Sequence, residues 1–222
     1  VLPKGNNLSL HLLELFTSRV AKVGMTDGIR QVLQEESDAL RAYYEQAGIL
    51  IARPAGETSC RLAISAKGGT NAENHNHNDV GSYAVALGSE TMVGDQGGPN
   101  SYPGDYFNGD APQKYKIKGS FGHPVPVVDG RTQSSGGKAK GVVLQKEFTN
   151  EKDVFSIDYT SAYSTPNLDK LIRTFVYDRQ GEGNFTVGDE FTAKTPIRFE
   201  TAITTRADWK ILDDTHLLLA TD

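Results

Sequence analysis

Tyr83-Ala84-Val85-Ala86-Leu87 and Thr91-Met92-Val93, joined by Gly88-Ser89-Glu90, are the segments that determine the fold class of this chain. Both are short apolar runs, and the glycine-containing turn between them is typical of a β-hairpin. Because the two strands of a hairpin run antiparallel, the stretch predicts an antiparallel sheet near the middle of the chain.

Similar runs fill most of the chain from Gly48 onward. Glycine, proline, asparagine and aspartate separate them at short spacing, which indicates an antiparallel sandwich or barrel and not βαβ units. The further predicted strands are 49–53, 60–65, 125–128, 140–146, 154–159, 171–177, 184–191, 198–205 and 217–220. We therefore expect a mainly β fold, an antiparallel β-sandwich over residues 48–222.

The first 47 residues have a different pattern. Apolar residues recur at helical spacing from Leu8 to Val23 and again from Ile29 to Tyr44, and Gly48 is well placed to end the second helix. Two helices of this size are too few to fold alone. We expect a short helical connector over residues 1–47, in a chain that is a fragment of a longer protein.

Composition excludes several classes of function. The chain has 222 residues, a net charge of −5 and a single cysteine, Cys60. The charge argues against a nucleic-acid partner, and no run of eighteen apolar residues predicts a membrane span. One cysteine excludes an intramolecular disulfide and a cysteine-based zinc ribbon.

One local cationic segment departs from the acidic average. Lys114, Lys116 and Lys118 alternate with Tyr115 and Ile117, so in a strand they would form one row. The row could protect a solvated edge strand from aggregation, or it could face an anionic ligand.

The residues with catalytic or metal-binding chemistry concentrate in Asn74-His75-Asn76-His77-Asn78-Asp79. In an extended backbone His75, His77 and Asp79 would lie on one face. Imidazole and carboxylate groups together are what a metal site or an acid–base site requires.

A metal site can be assembled from His77 and a carboxylate eighteen residues later, Asp95. Of the remaining histidines, His11, His123 and His216, His123 precedes a predicted strand just after a long loop. Two neutral imidazoles and a carboxylate suit Zn²⁺. The alternative is that these side chains simply hydrogen-bond one another in a tight turn.

Two other metal-site signatures fit poorly. A metallo-β-lactamase-type site needs a histidine directly after the aspartate, where this chain has Val80. A cupin-type site needs a glutamate a few residues after its His-x-His, and Glu90 is too far away.

A third known signature matches this sequence in the order of its motifs, in their spacing and in their glycine-rich surroundings. It rests on His-Asn-His-Asn-Asp-Val-Gly-Ser-Tyr at 75–83, Val-Gly-Asp-Gln-Gly-Gly at 93–98 with Tyr102, and the segment 122–130 with Gln133. Together these motifs resemble the C-terminal domain of heparinase II/III-like polysaccharide lyases, a group that includes alginate and oligoalginate lyases.

The resemblance implies an antiparallel β-sandwich behind an (α/α) toroid, with residues 8–47 as the remnant or connector of that toroid. It implies a structural Zn²⁺ held by His77, Asp95 and His123, and a His75 that faces the substrate. It further implies an acidic, uronate-containing polysaccharide as substrate and the toroid of the parent chain as partner. A periplasmic or secreted location follows from that substrate class alone.

Lyases of this kind break uronate chains by β-elimination, which removes the C5 proton and expels the oxygen at C4. The adjacent carboxylate must be neutralised as charge develops, and a base and an acid complete the set. His75 is the candidate base or carboxylate-neutralising donor. Tyr102, Tyr106 and Tyr115, in or beside the loop that precedes His123, are the candidate catalytic tyrosines.

The same family places part of the active site on the toroid, so we expect this chain alone to be a weak or inactive catalyst. The alternative function is a metal-stabilised carbohydrate-binding or structural β-sandwich without chemistry of its own.

Overall fold

The computed structural model describes residues 39–221, apart from residues 57, 96, 100, 109 and 110. In chain order the strands of this part are β1 (Arg41–Tyr44), β2 (Ile49–Ala52), β3 (Leu62–Lys67), β4 (Gly69–Asn71), β5 (Tyr83–Leu87), β6 (Glu90–Val93), β7 (Pro126–Val128), β8 (Gly136–Phe148), β9 (Lys152–Asp158), β10 (Leu168–Asp178), β11 (Asn184–Ala193), β12 (Phe199–Thr201), β13 (Asp208–Ile211) and β14 (Leu217–Ala220). Within the described residues, helical structure is confined to α1 (Ala111–Lys114) and the 3-10 turns Lys116–Lys118, Ser120–Gly122 and Thr160–Ala162.

The strands form two five-stranded antiparallel sheets. The first has the order β1-β2-β3-β5-β6 and the second β11-β10-β9-β8-β4. Two smaller pairs, β7 with β12 and β13 with β14, complete the described part of the chain. The predicted hairpin is β5 and β6, which pair Leu87 with Glu90 across the turn.

The core lies between the two five-stranded sheets. In β10 every second residue from Leu171 to Tyr177 is buried, which is the period of a strand with one face inward. Phe155 and Phe175 from the second sheet join Leu50 and Ile64 from the first in one apolar cluster. The predicted antiparallel β-sandwich is confirmed.

The predicted second helix is wrong at its end, because Arg41–Tyr44 is the edge strand β1. Tyr43 pairs with Leu50 of β2, and its ring packs edge-on against Phe155 at a centroid distance of 5.8 Å. Cross-sheet packing therefore overrides the helical spacing of the local sequence. The rest of the predicted helices lies outside the described residues.

The three lysines Lys114, Lys116 and Lys118 do not form a row on a strand. Residues 111–118 form α1 and a 3-10 turn, in which the Tyr115 N–H donates to the Ala111 carbonyl (2.8 Å). Lys114 and Lys116 are exposed, whereas Lys118 is buried. In the part of the chain that is described, no helix is both long and apolar enough to span a membrane.

Candidate functional site

The loop between β4 and β5 carries His75, His77 and Asp79, and it is not extended. His75 has a φ of +59°, and the Asn76 N–H donates back to the Glu73 carbonyl (3.1 Å), so the chain turns at this point. The expectation that the three side chains share one face is therefore wrong. Each of the three contacts a different group of residues.

His77 lies against Asp95 and His123. Its Nδ1 is 3.1 Å from His123 Nε2 and 3.9 Å from Asp95 Oδ2, and His123 Nδ1 is 3.7 Å from Asp95 Oδ2. One ligand atom from each residue can be chosen so that all three lie within 4.8 Å of one another. The structure thus brings together the three side chains that the sequence predicted as metal ligands.

The donor set fits a small cation of the zinc type. Two nitrogens or oxygens bound at about 2.0–2.1 Å in a tetrahedral site lie roughly 3.4 Å apart. The distances from His77 Nδ1 to His123 Nε2 (3.1 Å) and to Asp95 Oδ2 (3.9 Å) bracket that value. Burial and the neighbouring His123 lower the pKa of His77 from 6.5 to about 4, so its imidazole is neutral at pH 7. A neutral imidazole is the form that binds a metal.

Separate parts of the fold hold the three ligand candidates. Asp95 follows β6, and its Oδ1 accepts a hydrogen bond from the Gly97 N–H (2.7 Å). His123 follows a 3-10 turn and is 1% exposed. The N–H of Asn78, next to His77, donates to the Lys118 carbonyl (2.8 Å), which ties the histidine loop to the segment before His123.

A buried amide network fixes the base of the histidine loop. Gln133 Oε1 accepts from the Val80 N–H (3.0 Å) and from Asn71 Nδ2 (2.9 Å), and its Nε2 donates to the Val80 carbonyl (2.7 Å). Asn78 Nδ2 donates to the Gln133 carbonyl (3.0 Å). These bonds satisfy buried polar groups of an irregular segment that has no strand partner there.

Arg173 links the two histidine segments. Its Nη1 donates to the carbonyls of Gly81 (2.8 Å) and Pro124 (2.7 Å), which follow the His77 loop and His123. Its Nε and Nη2 form a two-point ion pair with Asp189 at 2.8 and 2.7 Å. Four hydrogen bonds of the guanidinium thus hold the site together.

Asp79, which was expected on the same face as His75 and His77, forms a salt bridge instead. Its Oδ1 accepts from Lys67 Nζ at 2.5 Å. Burial alone would raise the pKa of Asp79, but the ammonium of Lys67 together with His123 and His77 outweighs it, and the pKa lies below the usual value. This carboxylate is therefore committed to a salt bridge.

His75 lies on the exposed side of the loop, in a cluster of aromatic rings. Its imidazole stacks on Phe107 at a centroid distance of 4.3 Å and an interplanar angle of 29°. Tyr102 contacts Phe107 (5.1 Å) and Tyr106 (4.9 Å). Tyr102 and Phe107 are each 47% exposed, so His75 shares an open aromatic surface with a tyrosine.

The three predicted catalytic tyrosines have different environments. Tyr106 is buried, which raises the pKa of its phenol, and its hydroxyl has no hydrogen-bond partner among the described residues. Tyr115 donates its hydroxyl proton to Asp105 Oδ1 (2.5 Å), and this bond raises the pKa of Tyr115. Of the three, Tyr102 is the most exposed, and its ring contacts Phe107, on which His75 stacks.

Sequence reasoning missed Phe107, Lys118 and Arg173 as parts of the site. Lys118 Nζ donates to the Tyr106 carbonyl (2.8 Å) and lies 5.2 Å from the Phe107 ring centroid. No sequence signal marks a lysine that folds inward or a loop phenylalanine. Arg173 did carry a signal, because it occupies an inward position of an alternating strand.

No protein-family model and no curated protein matches the sequence. Among solved structures, the chain is similar to the heparan sulfate lyase HepC from Pedobacter heparinus (18% identity, TM-score 0.56) and to a mutant of it (16%, 0.55). Each match covers 74% of this chain and 25% of the lyase chain. The chain therefore shares a fold with a polysaccharide lyase and spans about a quarter of its length.

Proposed function

We propose that this chain is the β-sandwich domain of a polysaccharide lyase that cleaves uronate-containing polysaccharides by β-elimination. The observation that carries the proposal is the position of His75, an exposed imidazole that shares an aromatic surface with Tyr102 and lies two residues from the His77–Asp95–His123 cluster. The fold shared with a heparan sulfate lyase supports the same reaction class.

The elimination places clear demands on the side chains. A base takes the C5 proton, the C5–H electron pair becomes the C4–C5 double bond, and the C4–O bond breaks. The departing oxygen then takes a proton from an acid. We assign His75 to the C5 side, as the base or as the donor that neutralises the uronate carboxylate, and Tyr102 to the proton transfers.

Zn²⁺ is the ion that we propose for His77, Asp95 and His123. When bound, it would supply a cross-link between the histidine loop, the segment after β6 and the segment before β7. Its role is structural, because the three protein ligands are largely buried, with side-chain exposures of 15%, 22% and 1%. The residues of this chain that meet the substrate are then the exposed ones, led by His75.

The other functional proposals concern the longer protein. An N-terminal toroid domain would supply the opposite wall of the cleft, and a periplasmic or secreted location would suit a polysaccharide substrate. Heparan sulfate, alginate and hyaluronan are the uronate polymers to compare, since the fold is compatible with each as a substrate.

An elimination assay tests the function. The chain alone, and the same chain behind a toroid domain, are incubated with each polymer while the ultraviolet absorbance of unsaturated uronate is followed. We expect product from the longer protein, and a loss of at least about 100-fold in the His75→Ala variant, the usual scale for an acid–base group. His216→Ala, which changes an exposed histidine outside the site, should retain activity. If no uronate polymer yields unsaturated product, the lyase proposal is wrong, and binding without product would favour the carbohydrate-binding alternative.

A further inference from the structure

The ring of Phe107 is half exposed, although it contacts several other groups. His75 stacks on it, Tyr106 packs against it nearly edge-on at 5.2 Å and 85°, and Lys118 Nζ lies 5.2 Å from its centroid. Phe107 and the neighbouring Tyr102 are each 47% exposed, so together they form a contiguous apolar patch, and exposed apolar patches commonly mark binding sites.

The surface around Phe107 is held in place from beneath. Tyr106 is 1% exposed, and the buried Lys118 ammonium donates to its carbonyl at 2.8 Å and lies 4.7 Å from its ring centroid. Phe107 and Tyr102 therefore rest on a layer that has little freedom to move. A fixed aromatic surface binds a ligand with a smaller loss of conformational entropy than a mobile one.

The chemistry of this surface suits one kind of ligand. A pyranose ring presents aliphatic C–H groups on its faces and polar groups at its rim, so a flat aromatic ring can cover a face while the rim stays hydrated. The Lys118 cation lies over the Phe107 ring, 5.2 Å from its centroid, and Lys116 of the same segment is exposed, which favours a sugar that bears a carboxylate.

We propose that the exposed parts of the Phe107 and Tyr102 rings form a subsite that packs against the uronate ring adjacent to the one that His75 contacts. The proposal rests on the proposed function and adds to it the residue that positions the substrate chain. Phe107 is in this view a substrate-binding residue, and its ring does not take part in proton transfer.

The test measures binding of uronate tetrasaccharides, prepared from heparan sulfate and from alginate, to this chain by titration calorimetry. Phe107→Ala should bind the preferred tetrasaccharide about tenfold more weakly. Phe107→Leu should also bind more weakly, because leucine keeps apolar area but lacks the aromatic ring. Phe107→Tyr should stay within about twofold of the unchanged chain. Phe191→Ala is the matched control, since Phe191 is also a partly exposed, stacked phenylalanine but lies on β11.

A double-mutant cycle separates a direct sugar contact from an effect through His75. If Phe107 touches the sugar, the same weakening appears when Phe107→Ala is made in a His75→Ala background. If the weakening disappears there, Phe107 acts only by orienting His75 and the subsite is overturned.

Saturation-transfer NMR on the unchanged chain gives a second measurement that needs no substitution. Transfer from aromatic protons to the C–H protons of one sugar ring supports the subsite, and a lack of transfer overturns it. Equal binding by the unchanged chain and Phe107→Ala would overturn the subsite alone and leave the lyase proposal intact. A chain that binds no uronate tetrasaccharide would overturn the subsite whatever the elimination assay gives.

Discussion

The side-chain amide of Gln133 pairs with both backbone polar groups of Val80. Its Nε2 donates to the Val80 carbonyl at 2.7 Å and its Oε1 accepts from the Val80 N–H at 3.0 Å. Both residues are buried, so the amide does for Val80 what a neighbouring strand would do for a residue in a sheet. The pairing fixes the point where the His77 loop re-enters the core.

Gln133→Leu should therefore destabilise the protein. The change leaves the N–H and the carbonyl of Val80 buried without these partners, and each such group costs about 1–3 kcal/mol. We expect the free energy of unfolding in urea to fall by about 2–4 kcal/mol. The control is Gln145→Leu, which changes an exposed glutamine of β8 and should stay within about 0.5 kcal/mol of the unchanged protein. A loss below about 1 kcal/mol for Gln133→Leu would contradict this role.

Arg173→Met should cost more, because it removes one partner of a buried ion pair. The change leaves Asp189 without its guanidinium and the carbonyls of Gly81 and Pro124 without their donor. We expect a loss of about 3–5 kcal/mol in urea unfolding.

Arg173→Lys should recover only part of the loss, since one ammonium cannot reproduce the planar two-point contact with Asp189. Arg198→Met is the matched control, because its ion pair with Glu200 is exposed and is worth at most about 1 kcal/mol. Equal effects of the changes at Arg173 and Arg198 would rule out the linking role.

The sandwich could be predicted from the sequence because its strands are short apolar runs separated by turn residues. In β10, Leu171, Phe175 and Tyr177 lie inward, and such a run can be recognised without knowledge of the partner strand. β1 was missed because its four residues continue a helical spacing and become a strand only by pairing with β2. A local sequence pattern does not predict a strand that forms only through tertiary contacts.

The candidate site was predictable in part for a related reason. His77, Asp95 and His123 could be grouped from the chemistry of their side chains, and the structure brings them together. The orientation of His75 could not be read from alternation, since its φ of +59° breaks the extended backbone. The roles of Phe107 and Lys118 could not be predicted from the sequence, because they arise from contacts between loop segments.

Zn²⁺ should stabilise the folded protein through His77, Asp95 and His123. An ion that binds only the folded state at a free concentration 100-fold above its Kd adds about 2.7 kcal/mol. For a domain of this size we expect the Tm to rise by roughly 5–10 °C, and elemental analysis should find one zinc per chain.

Asp95→Ala should abolish this rise in Tm, because it removes one of the three ligands. His216→Ala, which removes an exposed histidine paired with Asp213, should keep the rise. No stoichiometric zinc in the unchanged protein, together with the same Tm in Asp95→Ala, would refute the metal site.

Stability should fall as the pH is lowered from about 6.5 to about 4, because of His77. Burial and the adjacent His123 lower the pKa of its imidazole to about 4 in the folded state, against 6.5 as the usual value. Between these two values the unfolded chain binds a proton that the folded chain does not bind. Protonation of the unfolded chain therefore lowers the free energy of unfolding as the pH falls. The effect is absent above about pH 6.5 and does not grow further below about pH 4.

The measurement is urea unfolding at pH 7 and pH 4.5 in buffers that contain a chelator, so that competition between protons and metal does not contribute. Between these two pH values the unchanged protein should lose about 2 kcal/mol more than His77→Gln, whose side chain does not titrate. His216→Gln should keep the pH dependence of the unchanged protein, since that histidine lies outside the buried cluster. The same slope in His77→Gln and in the unchanged protein would mean that His77 is not the group whose protonation opposes folding.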